Sequence, residues 1–310
     1  MEKNRFSAGS FVRKRPLTAF FVLVYLVTWI LWLPMIIFGI PAIVEPLYLP
    51  NILVLPGIAL GASGAALLIT ALVYGKPGVL GLLKRFLLWR VGWRWFAFAV
   101  LGLPLIKICL GALFMAGSEP FKALAPSALV LYPTAYFSHF YFGPLFEEAA
   151  WRGFALPRLQ RKFGPLVGTL ILAFFWGLWH LPVYLPSNIQ KSGLSGGIVT
   201  FLVFMIVTVG LTIIFTWVFN NTRGSLLLAV LLHASVDGTA TYIHSLAARD
   251  VISPAAAGNI ELGLMIGCVA LALILLIATR GGLNYANFMH TADRSDPSLY
   301  LKDKEAKTTG

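Results

Sequence analysis

Charge is what this 310-residue chain has least of. Only 12% of its residues are Asp, Glu, Lys or Arg, against about a quarter in a soluble domain, so a water-soluble globular protein is excluded. Its two cysteines, Cys109 and Cys268, sit far apart within apolar runs. They offer neither a disulfide framework nor a Cys-type zinc site. No internal repeat, low-complexity tract or second domain is visible, and no H-E-x-x-H pair fixes two histidines on one helix.

What fills the chain instead is apolar: 58% of residues are hydrophobic and the mean hydropathy is +0.82. A helix needs ~20 apolar residues to cross a ~30 Å hydrocarbon core, and runs near that length extend over Thr18–Ile40, Ile52–Tyr74, Trp95–Met115, Ala128–Leu156, Leu166–Leu185, Ile198–Phe219, Leu226–His244 and Ile260–Thr279. The fold class this predicts is all-α, a polytopic membrane bundle of about eight helices. A basic N-terminus (1–17) precedes the transmembrane domain (18–280), and a charged tail without fixed structure (281–310) follows it. The first run exceeds the ~7–15-residue core of a signal peptide and no A-x-A site follows, so it reads as an uncleaved anchor.

The basic residues give an independent check on that count. With the N-terminus in the cytoplasm, all of the 24 Lys and Arg residues except Lys107, Lys122, Lys191 and Arg249 fall in segments on the cytoplasmic side. The positive-inside rule expects this asymmetry when both termini are cytoplasmic. The net charge of +12 thus reads as topology plus attraction to anionic membrane lipid, and no nucleic-acid partner is expected. The basic, aromatic stretch Leu82–Phe96 suits an amphipathic helix in the cytoplasmic interface. Gly57, Gly61 and Ala65 recur every fourth residue, a small-residue face for close helix packing.

Three of the apolar runs nevertheless carry ionisable groups, which are costly in a bilayer and tend to face a bundle interior or a wet cavity. In the run after Phe142, Glu148 and Arg152 lie four apart on one helical face in the favourable acid-first order, while Glu147 is turned about 100° away. One acid is neutralised by the arginine and the other is left for chemistry as a general base. His180 follows Trp176 by one turn and precedes Pro182. His233 and Asp237 are again one turn apart. His139 is a weaker candidate, His244 lies at the end of its span and His290 in the tail. Mutual contact of these groups in one polar cavity is the simplest way to satisfy all three spans.

These residues carry a resemblance. Glu147-Glu148-x-x-x-Arg152, Trp176-x-x-x-His180 and His233-x-x-x-Asp237, with the lead-in Asn221-Thr222-Arg223-Gly224-Ser225, resemble the three ordered motifs of the CPBP family of intramembrane proteases, which includes the CAAX-type prenyl-protein endopeptidases and bacterial bacteriocin-processing and self-immunity proteins. The family core would cover about 128–245. The chain departs from the usual pattern twice: Trp176 stands where Phe is usual, and Asp237 where Asn is frequent.

The resemblance implies endopeptidase activity on a membrane-associated peptide or protein, lipid-modified or leader-bearing. Glu147 and His180 would activate water, and His233 and Asp237 would stabilise the oxyanion. Glu148, Arg152 and Trp176 would support them. A metal-free site is the preferred expectation; a Zn²⁺ ion on His180, His233 and Glu147 is the variant. The competing classes are a proton-coupled transporter using the same groups as a relay, and a family scaffold without activity. The expected location is the cell membrane.

Overall fold

In lipid each backbone N–H and C=O must be satisfied within the chain, which leaves helices as the form for long apolar runs. Every regular element among the described residues of this computed structural model is helical. The structure describes residues 8–37, 54–115, 117–292, 296, 297 and 299. The ends of the first two expected spans at 38–40 and 52–53, the basic residues Lys3 and Arg5, and the tail beyond 299 lie outside them.

The longer helices are α1 (Pro16–Ile37), α2 (Ala65–Lys84) and α3 (Leu103–Met115). Between the motifs run α4 (Tyr132–Phe142), α5 (Pro144–Glu148), α6 (Leu156–Phe163) and α7 (Pro165–Trp179). The remainder are α8 (Leu181–Asn221), α9 (Leu226–Ala247), α10 (Pro254–Ala278) and the short α11 (Tyr285–Thr291). Among the described residues six stretches are long and apolar enough to cross a membrane: Pro16–Pro34, Val54–Leu87, Trp93–Phe114, Leu181–Asn221, Leu226–Ala247 and Pro254–Ala278.

The two remaining apolar runs take a different form. Ala128–Leu156 is not one helix, because Gly143 (φ −155°, ψ −71°) and Pro144 end α4. The chain then restarts as α5, widens into a π-helical stretch over Ala149–Ala155 and continues as α6. Leu166–Leu185 is also divided. α7 is only 15 residues long and stops at His180, since Pro182 has no N–H to continue the ladder, and Leu181–Leu185 opens α8. Within α8, Gly193 at φ 72° separates a polar first arm from the apolar span. Only glycine adopts that conformation without strain.

Packing places α9 at the centre. In its apolar window 78% of residues are buried, against 22% in α1, so α9 is the post the others surround. The small-residue face packs as its spacing predicts. A side chain at Gly57 would collide with Trp32 of α1 and one at Gly61 with Thr28, and Thr28 Oγ1 donates to the Gly57 carbonyl at 3.1 Å. Gly111 and Gly263 likewise bring α3 and α10 into backbone contact, beside a Lys107–Glu261 ion pair of 2.6 Å.

Three sequence expectations change. Leu82–Phe96 is not a continuous interfacial helix: α2 ends at Lys84 and the chain is irregular from Leu88 until a short helix begins at Trp93, with Gly92 at φ 97°. The basic residues placed at the cytoplasmic surface include three buried ones, Arg85, Arg152 and Arg158. The segment 281–310 is not structureless throughout either. Phe288 of α11 packs on Phe219, and Asp296 is buried beside Arg85.

Candidate active site

The break at Gly143 and Pro144 puts Glu147 in the first turn of α5 and Glu148 at its end. Ser63 Oγ fixes this turn from α2's lead-in by donating to the Phe146 carbonyl at 2.5 Å. The π-helical stretch that follows carries Arg152. Such wide turns are rare and frequent at functional sites.

Glu148 and Arg152 are both fully buried and paired, Arg152 Nη1 donating to Glu148 Oε1 at 2.8 Å. The guanidinium carbon also lies 4.0 Å from the Trp176 ring centre and 4.3 Å from that of Phe215. The same Glu148 oxygen accepts from His233 Nδ1 at 2.8 Å. The carboxylate can only accept, so Nδ1 carries the proton. The opposite ring nitrogen, Nε2, faces Asp237 Oδ2 at 3.4 Å, and Asp237 is 37% exposed where Glu148 is closed off. Two carboxylates thus bracket one imidazole.

Glu147 is not free of partners, contrary to its reading as the unengaged acid. Trp176 Nε1 donates to its Oε2 at 2.9 Å. Its Oε1 lies on the side of Gly143, 3.5 Å from where a Cβ there would stand. His180, at the junction of α7 and α8, donates through Nδ1 to the Trp176 carbonyl at 2.8 Å. A carbonyl cannot donate, so the neutral ring offers Nε2 as an acceptor. Glu147, His233 and Asp237 all lie within electrostatic range of His180, and the four groups drawn from three apolar runs share one neighbourhood.

The zinc variant needs three of these donors to converge. Among the described residues no group of three His, Cys, Asp or Glu side chains could hold a metal ion.

Several contacts had no signal in the sequence. Glu148 meets His233 across 85 positions, and the indole N–H of Trp176 reaches Glu147 across 29. His139 is placed nearby, its Nε2 2.7 Å from Thr241 Oγ1 and within electrostatic range of Asp237 and His233. His244 instead bonds its own helix at the Ala240 carbonyl.

Comparison with known proteins converges on this stretch. The model of the type II CAAX prenyl endopeptidase Rce1-like family matches residues 129–239, which include all three motifs. The match is confined to this segment, about a third of the chain. CAAX prenyl protease 2 of Methanococcus maripaludis is 30% identical over 93 residues, covering 30% of this chain and 34% of that protein. The chain therefore matches about a third of the length of this relative. The matched stretch runs from α4 to the middle of α9.

Proposed function

We propose that the protein is an intramembrane endopeptidase that hydrolyses a peptide bond of a membrane-associated substrate. The observation that carries this reading is the position of Glu147: a buried carboxylate, 5% exposed, held through Oε2 by the Trp176 indole, with no described side chain donating to Oε1, and within electrostatic range of His180. The match of the segment to the type II CAAX prenyl endopeptidase model supports the same class.

In the mechanism we favour, Glu147 Oε1 takes a proton from a water that also donates to His180 Nε2. The hydroxide adds to the scissile carbonyl carbon, and His233, held as an imidazolium between Glu148 and Asp237, donates Nε2–H to the oxyanion, Asp237 contributing only in its protonated form. Collapse breaks the C–N bond, and the proton held by Glu147 passes to the departing amine nitrogen. Arg152 and Glu148 take no proton. They fix the His233 ring, Nδ1 inward, so that Nε2 faces the exposed side of the site. A substrate enters from the membrane, which suits a lipid-modified or leader-bearing peptide, and the location we propose is the cell membrane.

Purified protein in detergent with a peptide reporter tests the reading. Glu147→Gln keeps the volume and removes the base, so hydrolysis should vanish while the protein stays folded. A membrane-permeable zinc chelator should leave the wild-type rate unchanged. Near wild-type turnover by Glu147→Gln would refute the base assignment, and chelator-sensitive turnover restored by Zn²⁺ would refute the metal-free mechanism.

A further inference from the structure

Trp176 touches more of the site than any role as packing requires. It is 4% exposed on α7, its indole N–H donates to Glu147 Oε2 at 2.9 Å, and its ring face covers the Arg152 guanidinium at 4.0 Å. The His233 ring meets it edge to face at 5.4 Å, and its carbonyl holds His180 Nδ1. A phenylalanine would reproduce the ring face. It would not reproduce the donor.

That donor matters because of what else could claim the carboxylate. Arg152 lies within electrostatic range of Glu147, and although its Nη1 is committed to Glu148, its Nε and Nη2 are buried without a hydrogen-bond acceptor. A buried charge with unpaired donors attracts the nearest free carboxylate oxygen. Glu147 has several rotatable side-chain bonds, and no described side chain other than Trp176 donates to it. Freed from the indole, the carboxylate would turn toward Arg152 and become a second salt-bridge partner. Its oxygen would then be lost to water.

Resting on the endopeptidase reading above, we infer that Trp176 is a positioning residue: its indole N–H fixes Glu147 Oε2 and, with its ring over the guanidinium, keeps the general base from pairing with Arg152. Oε1 stays on the side of Gly143. The indole touches no reacting atom and works entirely through Glu147.

The test separates the N–H from the ring. Trp176→Phe removes the donor and some area; replacement of Trp176 by benzothienylalanine, in which sulfur takes the place of the indole N–H, removes the donor and keeps the bicyclic shape. Loss of a hydrogen bond to a charged group corresponds to a roughly 10- to 100-fold effect. Both variants should lose about that much in kcat with KM unchanged, and the benzothienyl protein should melt at the wild-type temperature. Should Trp176→Phe fail to fold, the benzothienyl protein alone decides. Wild-type kcat in the benzothienyl protein would overturn the proposal and reduce Trp176 to packing, and so would a loss confined to KM. The companion Glu147→Gln measurement keeps the two levels apart. An inactive Glu147→Gln with a fully active benzothienyl protein leaves the endopeptidase reading standing and the clamp refuted, whereas an active Glu147→Gln removes both.

Discussion

Adjacent acids divide their work because a helix turns them apart. Glu148 spends one oxygen on two cations or donors, Arg152 and His233, while Glu147 faces the other way toward Trp176 and Gly143. Removing Arg152 would leave Glu148, fully buried, with only the imidazole to balance it. Breaking a buried pair from one side costs about 3–5 kcal/mol, so Arg152→Ala should lower the melting temperature in detergent and reduce turnover as His233 loses its orientation. Wild-type thermal stability in that variant would show that the pair is not a support. At this scale the sequence was legible where partners share a helix, as Glu148 does with Arg152 and His233 with Asp237, because spacing alone sets those contacts. It was silent for Glu148 with His233 and for Trp176 with Glu147, which depend on how separate helices dock.

Elements show where apolar patterning stops being informative. Ala128–Leu156 and Leu166–Leu185 look like spans by composition, yet Gly143 with Pro144 and His180 with Pro182 break them. Those breaks are what bring Glu147 and His180 to the same place. A run of hydrophobic residues sets environment and not continuity, and the π-helical Ala149–Ala155 has no residue signature that separates it from α-helix. Connections outside the membrane carry their own chemistry. Ser253 caps α10 by accepting from Ala256 N at 3.1 Å, and its own N–H and hydroxyl donate to Glu119 at 2.8 and 3.1 Å, clasping the loop after α3 to the start of α10. The Ser253 donors hold the Glu119 carboxyl below its usual range, the N–H contributing most. A carboxyl depressed by folding adds stability above its unfolded value and loses it as pH falls through the folded one. Thermal unfolding should therefore become easier below about pH 4, and Glu119→Gln should be less stable at neutral pH but flatter across that window. A Glu119→Gln protein with the wild-type pH profile would show that the clasp does not contribute.

Across the whole molecule, the asymmetry of Lys and Arg points to a cytoplasmic C-terminus, and a reporter fused there should read as cytoplasmic. An external reading would undo the arrangement of spans derived from it. The same basic residues have a second use that a charge count does not disclose. Arg85, just past the end of α2, is 3% exposed; its Nη2 donates to the Gly153 carbonyl at 2.7 Å and its Nε lies 3.5 Å from Asp296. Gly153 belongs to the π-helical stretch that carries Arg152. A residue read as a topology marker thus ties the C-terminal segment to the backbone of the candidate active site, and composition gave no hint because a buried and an exposed arginine look alike in sequence. Arg85→Met keeps most of the buried volume but removes the cation facing Asp296 and the donor to the Gly153 carbonyl, at a cost of about 3–5 kcal/mol. It should lower the melting temperature and, by loosening the turn under Glu148 and Arg152, lower kcat as well. Asp296→Asn, which leaves the Gly153 bond intact, should reduce stability less and spare kcat. If the two variants lost turnover equally, the link to Gly153 would not be what couples this end of the chain to the site.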